Sequence, residues 1–202
     1  MQIEVRPLTQ RAKEYIKSRG YTEEIIEKEK VYSITDPYDR PCIRWLCYSM
    51  SGAFIGYNDR TIEGKRFCWG HSSRRFLPTL YGTEEDYKIL FDTGSMILVE
   101  GIFDRVALKR CFPNQAVFSR MTVGLSNSIF NFILRFCSCL ILCYDQDDAG
   151  VKSTKDVESK LLGKVPVISL SYRHKDPSLF LEKRGINVML EKFKTQIDRY
   201  TL

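Results

Sequence analysis

Met96-Ile97-Leu98-Val99-Glu100-Gly101 and Cys139-Leu140-Ile141-Leu142-Cys143-Tyr144-Asp145-Gln146-Asp147 share one form: an apolar run that stops at a carboxylate. Runs of this length, apolar at every position and bounded by turn residues, suit strands buried on both faces of a parallel sheet. Each is followed by a helix-like segment. In such sheets the residues just past the carboxyl ends of the strands converge on one crevice, where ligands bind. If the two strands are neighbours, Glu100, Asp145 and Asp147 meet there. Like charges that close raise one another's pKa, so the trio calls for a counter-charge. Hard oxygen ligands with no paired Cys or nearby His favour Mg²⁺ or Mn²⁺ over zinc.

Working outward, Thr83 to Phe91 reads as a helix with Thr83 as cap and acids in its first turn. Asp92-Thr93-Gly94 ends it, and the domain junction is expected there, giving units 1–92 and 93–202. A helix over Phe103–Arg110, a strand over Ala116–Ser119 and a Ser126-capped helix to Phe136 fill the interval between the acidic strand ends. Gly150 to Leu162 forms an amphipathic helix, and Val165 to Leu170 the next strand. Asp176-Pro177 starts a further helix, with Asp176 as cap and Pro177 in its first turn. Asp104 has two readings, a metal ligand near Glu100 or a first-turn acid favoured by the helix dipole.

Ahead of this region, Thr9 to Gly20 and Thr22 to Ile26 read as two short helices. Cys42 to Tyr48 and Ala53 to Tyr57 form a hairpin in a small sheet. The segment Lys65-Arg66-Phe67-Cys68-Trp69-Gly70-His71-Ser72-Ser73-Arg74-Arg75-Phe76 interleaves cations with rings. That composition serves a single-stranded nucleic-acid or nucleotide site. It equally describes a solvated basic loop with Phe67 and Trp69 tucked into a core, and composition leaves both readings open.

The whole chain has 202 residues, 44% hydrophobic, with a net charge of +6. This permits nucleic acid as a partner without requiring it. Seven cysteines without a C-x-x-C pair exclude a zinc ribbon and point to reduced thiols in the cytoplasm, not a disulfide frame. No signal peptide and no bilayer-length apolar run is read in it, so no membrane partner is expected.

The pair Val99-Glu100-Gly101 with Asp104, then Asp145-Gln146-Asp147 with Gly150, resembles the two motifs of the Toprim domain. The order of the preceding segments extends the likeness across nearly the whole chain. The helical pair, the Gly56-x-x-x-Arg60 hairpin strand, the basic segment and Leu80-Tyr81-Gly82 together resemble the RNA polymerase core of bacterial and phage primases of the DnaG type. The resemblance implies an α/β fold: a central, mostly parallel Toprim sheet flanked by helices, preceded by a small α+β subdomain. It implies a metal-dependent nucleotidyltransferase that makes short RNA primers on single-stranded DNA from NTPs. Glu100, Asp145 and Asp147 match its catalytic and metal-binding acids, with Asp104 and Asp176 as additional ligands. Ser178 stands where the family carries a second acid. Arg60 falls on its conserved arginine, and Lys65, Arg66, Arg74 and Arg75 fall near its nucleotide- and template-binding lysines. Where the family has a Lys-Tyr-Leu-Asn-type sequence, this chain has Arg66-Phe67-Cys68-Trp69-Gly70.

A phage or split form is expected, since neither zinc-binding nor helicase segments are read in the chain, and a fragment of a longer chain would read the same. A replicative helicase and a separate zinc-binding subunit then follow as partners. Two other readings use the same acids: a Toprim nuclease that activates water, and a non-catalytic DNA-binding accessory. A type IA topoisomerase would need a distant gate tyrosine that this length cannot carry.

Overall fold

The computed structural model describes residues 5–63, 67–71, 80–120 and 124–198. Over 67–71 it describes the backbone path and pairing. The chain divides into two compact units, Met1–Pro78 and Thr79–Leu202.

The first unit opens with α1 (Gln10–Ser18) and α2 (Glu23–Lys28), whose N-caps Thr9 and Thr22 accept from the backbone N–H groups of Ala12 and Ile25. Four antiparallel strands follow in spatial order: β1 (Val31–Thr35), β2 (Pro41–Tyr48), β3 (Phe54–Thr61) and β4 (Phe67–His71). Side chains alternate between the faces of such a sheet. Ile43 and Trp45 lie on one face, where the Trp45 indole N–H donates to the Tyr21 hydroxyl at 3.2 Å. Arg44 and Asp59 lie on the other face, joined by two parallel hydrogen bonds of 2.8 and 2.7 Å.

The second unit is built on a five-stranded sheet of β5 (Leu80–Tyr81), β6 (Ser95–Val99), β7 (Ala116–Arg120), β8 (Cys139–Leu142) and β9 (Val167–Ser169). Its spatial order is β5-β7-β6-β8-β9. All neighbours are parallel except the β5 edge, which runs antiparallel to β7. Both faces of the central strands are buried, as their unbroken apolar sequences require. Met96, Leu98, Leu140 and Leu142 enter one core with Leu90 of α3 (Glu84–Thr93), Ile129 and Ile133 of α5 (Asn127–Phe136) and Val157 of α6 (Asp148–Leu161). Ile97, Val99, Ile141 and Cys143 enter the other, with Leu108 of α4 (Ile102–Cys111), Phe180 of α7 (Pro177–Arg184) and Phe193 of α8 (Ile186–Asp198). The fold is thus α/β, a mostly parallel sheet between two helical layers.

The junction expected near residue 92 falls instead between Pro78 and Thr79. Two contacts draw the intervening segment into the second unit. Leu80 and Tyr81 pair with Arg120 and Ser119 of β7, and Asp86 of α3 is buried in an ion pair with Arg105 of α4. Gly82 is required in this segment, because a Cβ there would meet the Phe118 ring at 2.5 Å. The acidic helix start is thus a buried tie within the second unit. Among the described residues, no helix is long and apolar enough to cross a membrane.

Candidate active site

From β6 the chain goes through α4 to β7 on one side, then returns through α5 to β8 on the other side of β6. The connection reverses direction there, and the carboxyl ends of β6 and β8 flank the resulting crevice. Leu98 lies beside Leu142, so Glu100 and Asp145 emerge at the same end of two adjacent parallel strands. The pairing condition set by the sequence is met.

Each acid is held by local structure. Asp147 is the N-cap of α6, its Oδ1 accepting from the Gly150 N–H at 3.0 Å. Gly150 is necessary here, since a Cβ would lie 2.0 Å from the Asp145 carbonyl oxygen. Asp176 caps α7, accepting from the Leu179 N–H at 2.7 Å. The Gln146 N–H donates to the Lys175 carbonyl at 2.7 Å, which ties the loop after β8 to the loop before α7. Lys175 Nζ stands 3.7 Å from Asp147 Oδ2.

The electrostatics show which acids share the crevice. Burial pushes the Asp145 carboxyl up, and Glu100, Asp176 and Asp147 push it further, to about 6, while Lys175 opposes them. Burial also raises Glu100; Asp147 adds to the shift, and Arg120 and Lys175 counter it. Glu100, Asp145, Asp147 and Asp176 therefore sit within one field. Asp104 is engaged differently: its Oδ1 accepts the Ser178 N–H at 3.1 Å and joins α4 to α7. Among the described residues, no three His, Cys, Asp or Glu side chains stand closely enough together to hold a metal ion. The carboxylates line the crevice without forming a closed cage.

Arg60 is half-buried on β3, in register with Ile43 and Phe67, on the sheet face opposite the Arg44–Asp59 pair. Lys65, Arg66, Arg74 and Arg75 lie outside the described residues. His174 is half-buried against the Phe180 ring, with centroids 5.5 Å apart.

Sequence reasoning missed two cations. Arg120 at the end of β7 donates from Nη2 to Glu100 Oε1 at 2.7 Å, with its side chain 6% exposed. The signal was a charged residue closing an apolar strand at the same end as Glu100. Lys175 was hidden in a stretch that Asp176-Pro177 already explained as a helix start.

A mostly parallel sheet with conjoined acidic strand ends at its switch point defines the class, and residues 97–181 match the protein family described as Toprim-like. That stretch, which holds both acidic strand ends, is similar to a Toprim domain. Over most of its length the chain is similar to bacterial DNA primases. It is 24% identical over 197 residues to the DNA primase of Borreliella burgdorferi, an alignment covering 93% of this chain and 37% of that protein. Its fold is similar to the Aquifex aeolicus primase zinc-binding and RNA polymerase domains, with a TM-score of 0.77, 21% identity, and coverage of 93% of this chain and 56% of that one. It is also similar to a DnaG primase catalytic domain bound to ssDNA, with a TM-score of 0.75, 17% identity, and coverage of 96% and 75%. The chain spans little more than a third of the Borreliella burgdorferi relative.

Proposed function

We propose that this chain is the catalytic core of a DNA primase, joining ribonucleotides into short RNA primers on single-stranded DNA. The observation that supports this reading is the emergence of Glu100 and Asp145 at the same end of the adjacent parallel strands β6 and β8, at the reversal point of the sheet, with Asp147 capping the helix that follows. In the reaction, the 3′-hydroxyl of the growing primer forms a bond to the α-phosphate of an NTP, and the bond to pyrophosphate breaks.

The donor set fits Mg²⁺ or Mn²⁺. It consists of carboxylate oxygens; burial, with Glu100, Asp176 and Asp147 adding to it, lifts Asp145 to about 6, and a hard divalent cation would offset the repulsion among them. Glu100, Asp145 and Asp147 would hold it, with Asp176 beside them. Asp104 is a weaker ligand in this reading, because one of its oxygens is committed to Ser178. When bound, such an ion supplies positive charge against the charge that builds on the α-phosphate and the leaving pyrophosphate. Lys175, 63% exposed, adds a cation at the mouth of the crevice, where an anionic substrate arrives. Arg60 with Lys65, Arg66, Arg74 and Arg75 is assigned to triphosphate and template, phosphates being met by Lys and Arg.

The test is one incubation of the chain with labelled NTPs, single-stranded DNA and Mn²⁺ or Mg²⁺, resolved on a sequencing gel. Short RNA products that vanish with Glu100→Gln support the reading. Cleaved template without RNA would assign the same acids to a nuclease, and no metal-dependent turnover would leave a DNA-binding accessory.

A further inference from the structure

We infer that Arg120 is a positioning residue for Glu100, an internal counter-ion that holds this carboxylate in the crevice and sets how tightly the site takes a divalent cation. The inference rests on the metal-binding reading above.

The geometry shows which partner positions the other. Glu100 lies just beyond its strand, with its side chain 26% exposed, whereas Arg120 is 6% exposed and fixed from three directions. Its backbone is in the β7 ladder opposite Leu80. One guanidinium nitrogen, Nη1, donates to Ser153 Oγ of α6. The guanidinium carbon stands 4.2 Å from the centre of the buried Tyr144 ring, in the segment leading out of β8. Nη2 is left to hold Glu100 Oε1. A planar fork with several donors can span Ser153 and Glu100 while stacking on an aromatic ring. The more exposed carboxylate is therefore held by an arginine that the sheet, α6 and Tyr144 have already placed.

The charge balance gives this contact a consequence. Glu100, Asp145, Asp147 and Asp176 are opposed in the crevice by Arg120 and Lys175. Four negative and two positive groups leave a deficit equal to one divalent ion. Removing Arg120 deepens that deficit and removes a like charge beside the incoming cation. At a separation of about 5 Å in a water-like dielectric, that repulsion corresponds to roughly tenfold in affinity. The same change frees Glu100 to leave its place, so bare-metal binding tightens while turnover falls. A residue that merely supported the fold would weaken both.

The experiment is a calorimetric Mn²⁺ titration of the full chain without nucleotide or template, paired with primer synthesis by the same preparations. Arg120→Gln is expected to bind Mn²⁺ about tenfold more tightly and to synthesise at least about tenfold more slowly. Arg120→Lys keeps the charge and should hold Mn²⁺ affinity within about twofold of wild type, restoring synthesis only in part because an ammonium cannot span both partners. Ser153→Ala, which removes one brace and leaves the charge, should slow synthesis without tightening Mn²⁺ binding, and it serves if Arg120→Gln fails to fold. Unchanged or weaker Mn²⁺ binding by a folded Arg120→Gln overturns the inference, as does wild-type synthesis by Ser153→Ala should Arg120→Gln not fold. Absence of Mn²⁺ binding by the wild type overturns the metal reading itself, and this inference with it. Mn²⁺ binding without RNA synthesis by the wild type overturns the primase reading and leaves the affinity comparison to decide the role of Arg120.

Discussion

Asp86 and Arg105 form an ion pair in which neither side chain has any solvent exposure. Asp86 also stands 3.0 Å from Lys109 Nζ and accepts the Val117 N–H at 3.2 Å and the Thr83 N–H at 2.9 Å. Arg105 further donates from Nε to the Val117 carbonyl at 2.8 Å. One carboxylate thus joins α3, α4 and β7, and with β7 it fixes the strand that ends in Arg120. Asp86→Ala would leave the buried Arg105 and the half-buried Lys109 without their acid and should cost about 3–5 kcal/mol, read by urea denaturation.

The same group sets a pH dependence. Burial alone would raise Asp86, but Arg105, Lys109 and Thr83 overcome it and hold the carboxyl well below the usual carboxylate range. A depressed folded-state value means the stabilisation is fully present above the unfolded value near 4 and is lost as pH falls below it. Wild-type stability attributable to this pair should stay level from pH 8 to about pH 5 and then decline. The difference between wild type and Asp86→Ala should shrink in step, followed by urea midpoints at each pH.

Asp145 has the opposite sign. Its carboxyl is raised to about 6 by burial and by its acidic neighbours, so ionising it destabilises the metal-free protein. A raised folded value makes stability fall as pH climbs from about 4 to 6 and remain low above that. Asp145→Asn in EDTA should therefore raise stability at pH 7.5 by about 1 kcal/mol, less than the full shift because the carboxyl is partly solvated. The gain should fade towards pH 4. A thermal-melt series in EDTA across that range checks it, and Mn²⁺ should stabilise wild type more than the variant.

Gly150→Ala tests the contact beneath the second acidic motif. The added methyl would overlap the Asp145 carbonyl oxygen at 2.0 Å, so either the α6 start or the Asp145 backbone must move. A loss of about 1–3 kcal/mol is expected, with primer synthesis reduced beyond what the unfolded fraction explains. Comparing activity with the folded fraction by circular dichroism separates the two effects.

Glu100→Gln removes the charge and retains the shape. It should lower synthesis by at least about 10²-fold while the melting temperature changes little, since Arg120 can still donate to the amide oxygen. A large loss of stability instead would mean that Glu100 serves the fold.

Much of this arrangement was legible from local pattern. Thr9, Thr22 and Ser126 announce helix starts because a cap bonds only a few residues ahead. The uninterrupted apolar run before Glu100 identifies a strand buried on both faces, and the acid-terminated pair of strands was enough to anticipate the α/β class and the crevice. These signals depend on spacing along the chain, which the sequence contains in full.

Tertiary structure decided what spacing cannot encode. That β8 lies beside β6 with β7 on the far side is a long-range pairing choice, and it brings Asp145 to Glu100 across 45 residues of sequence. Arg120 and Lys175 read as ordinary strand-end and loop cations until the fold places them at Glu100 and Asp147. Asp86 reads as a solvated first-turn acid until Arg105 closes over it, which is also why the domain boundary lies earlier than its punctuation suggests. A charge's effect depends on what stands within a few ångströms of it and on how much water remains, and both are properties of the folded chain.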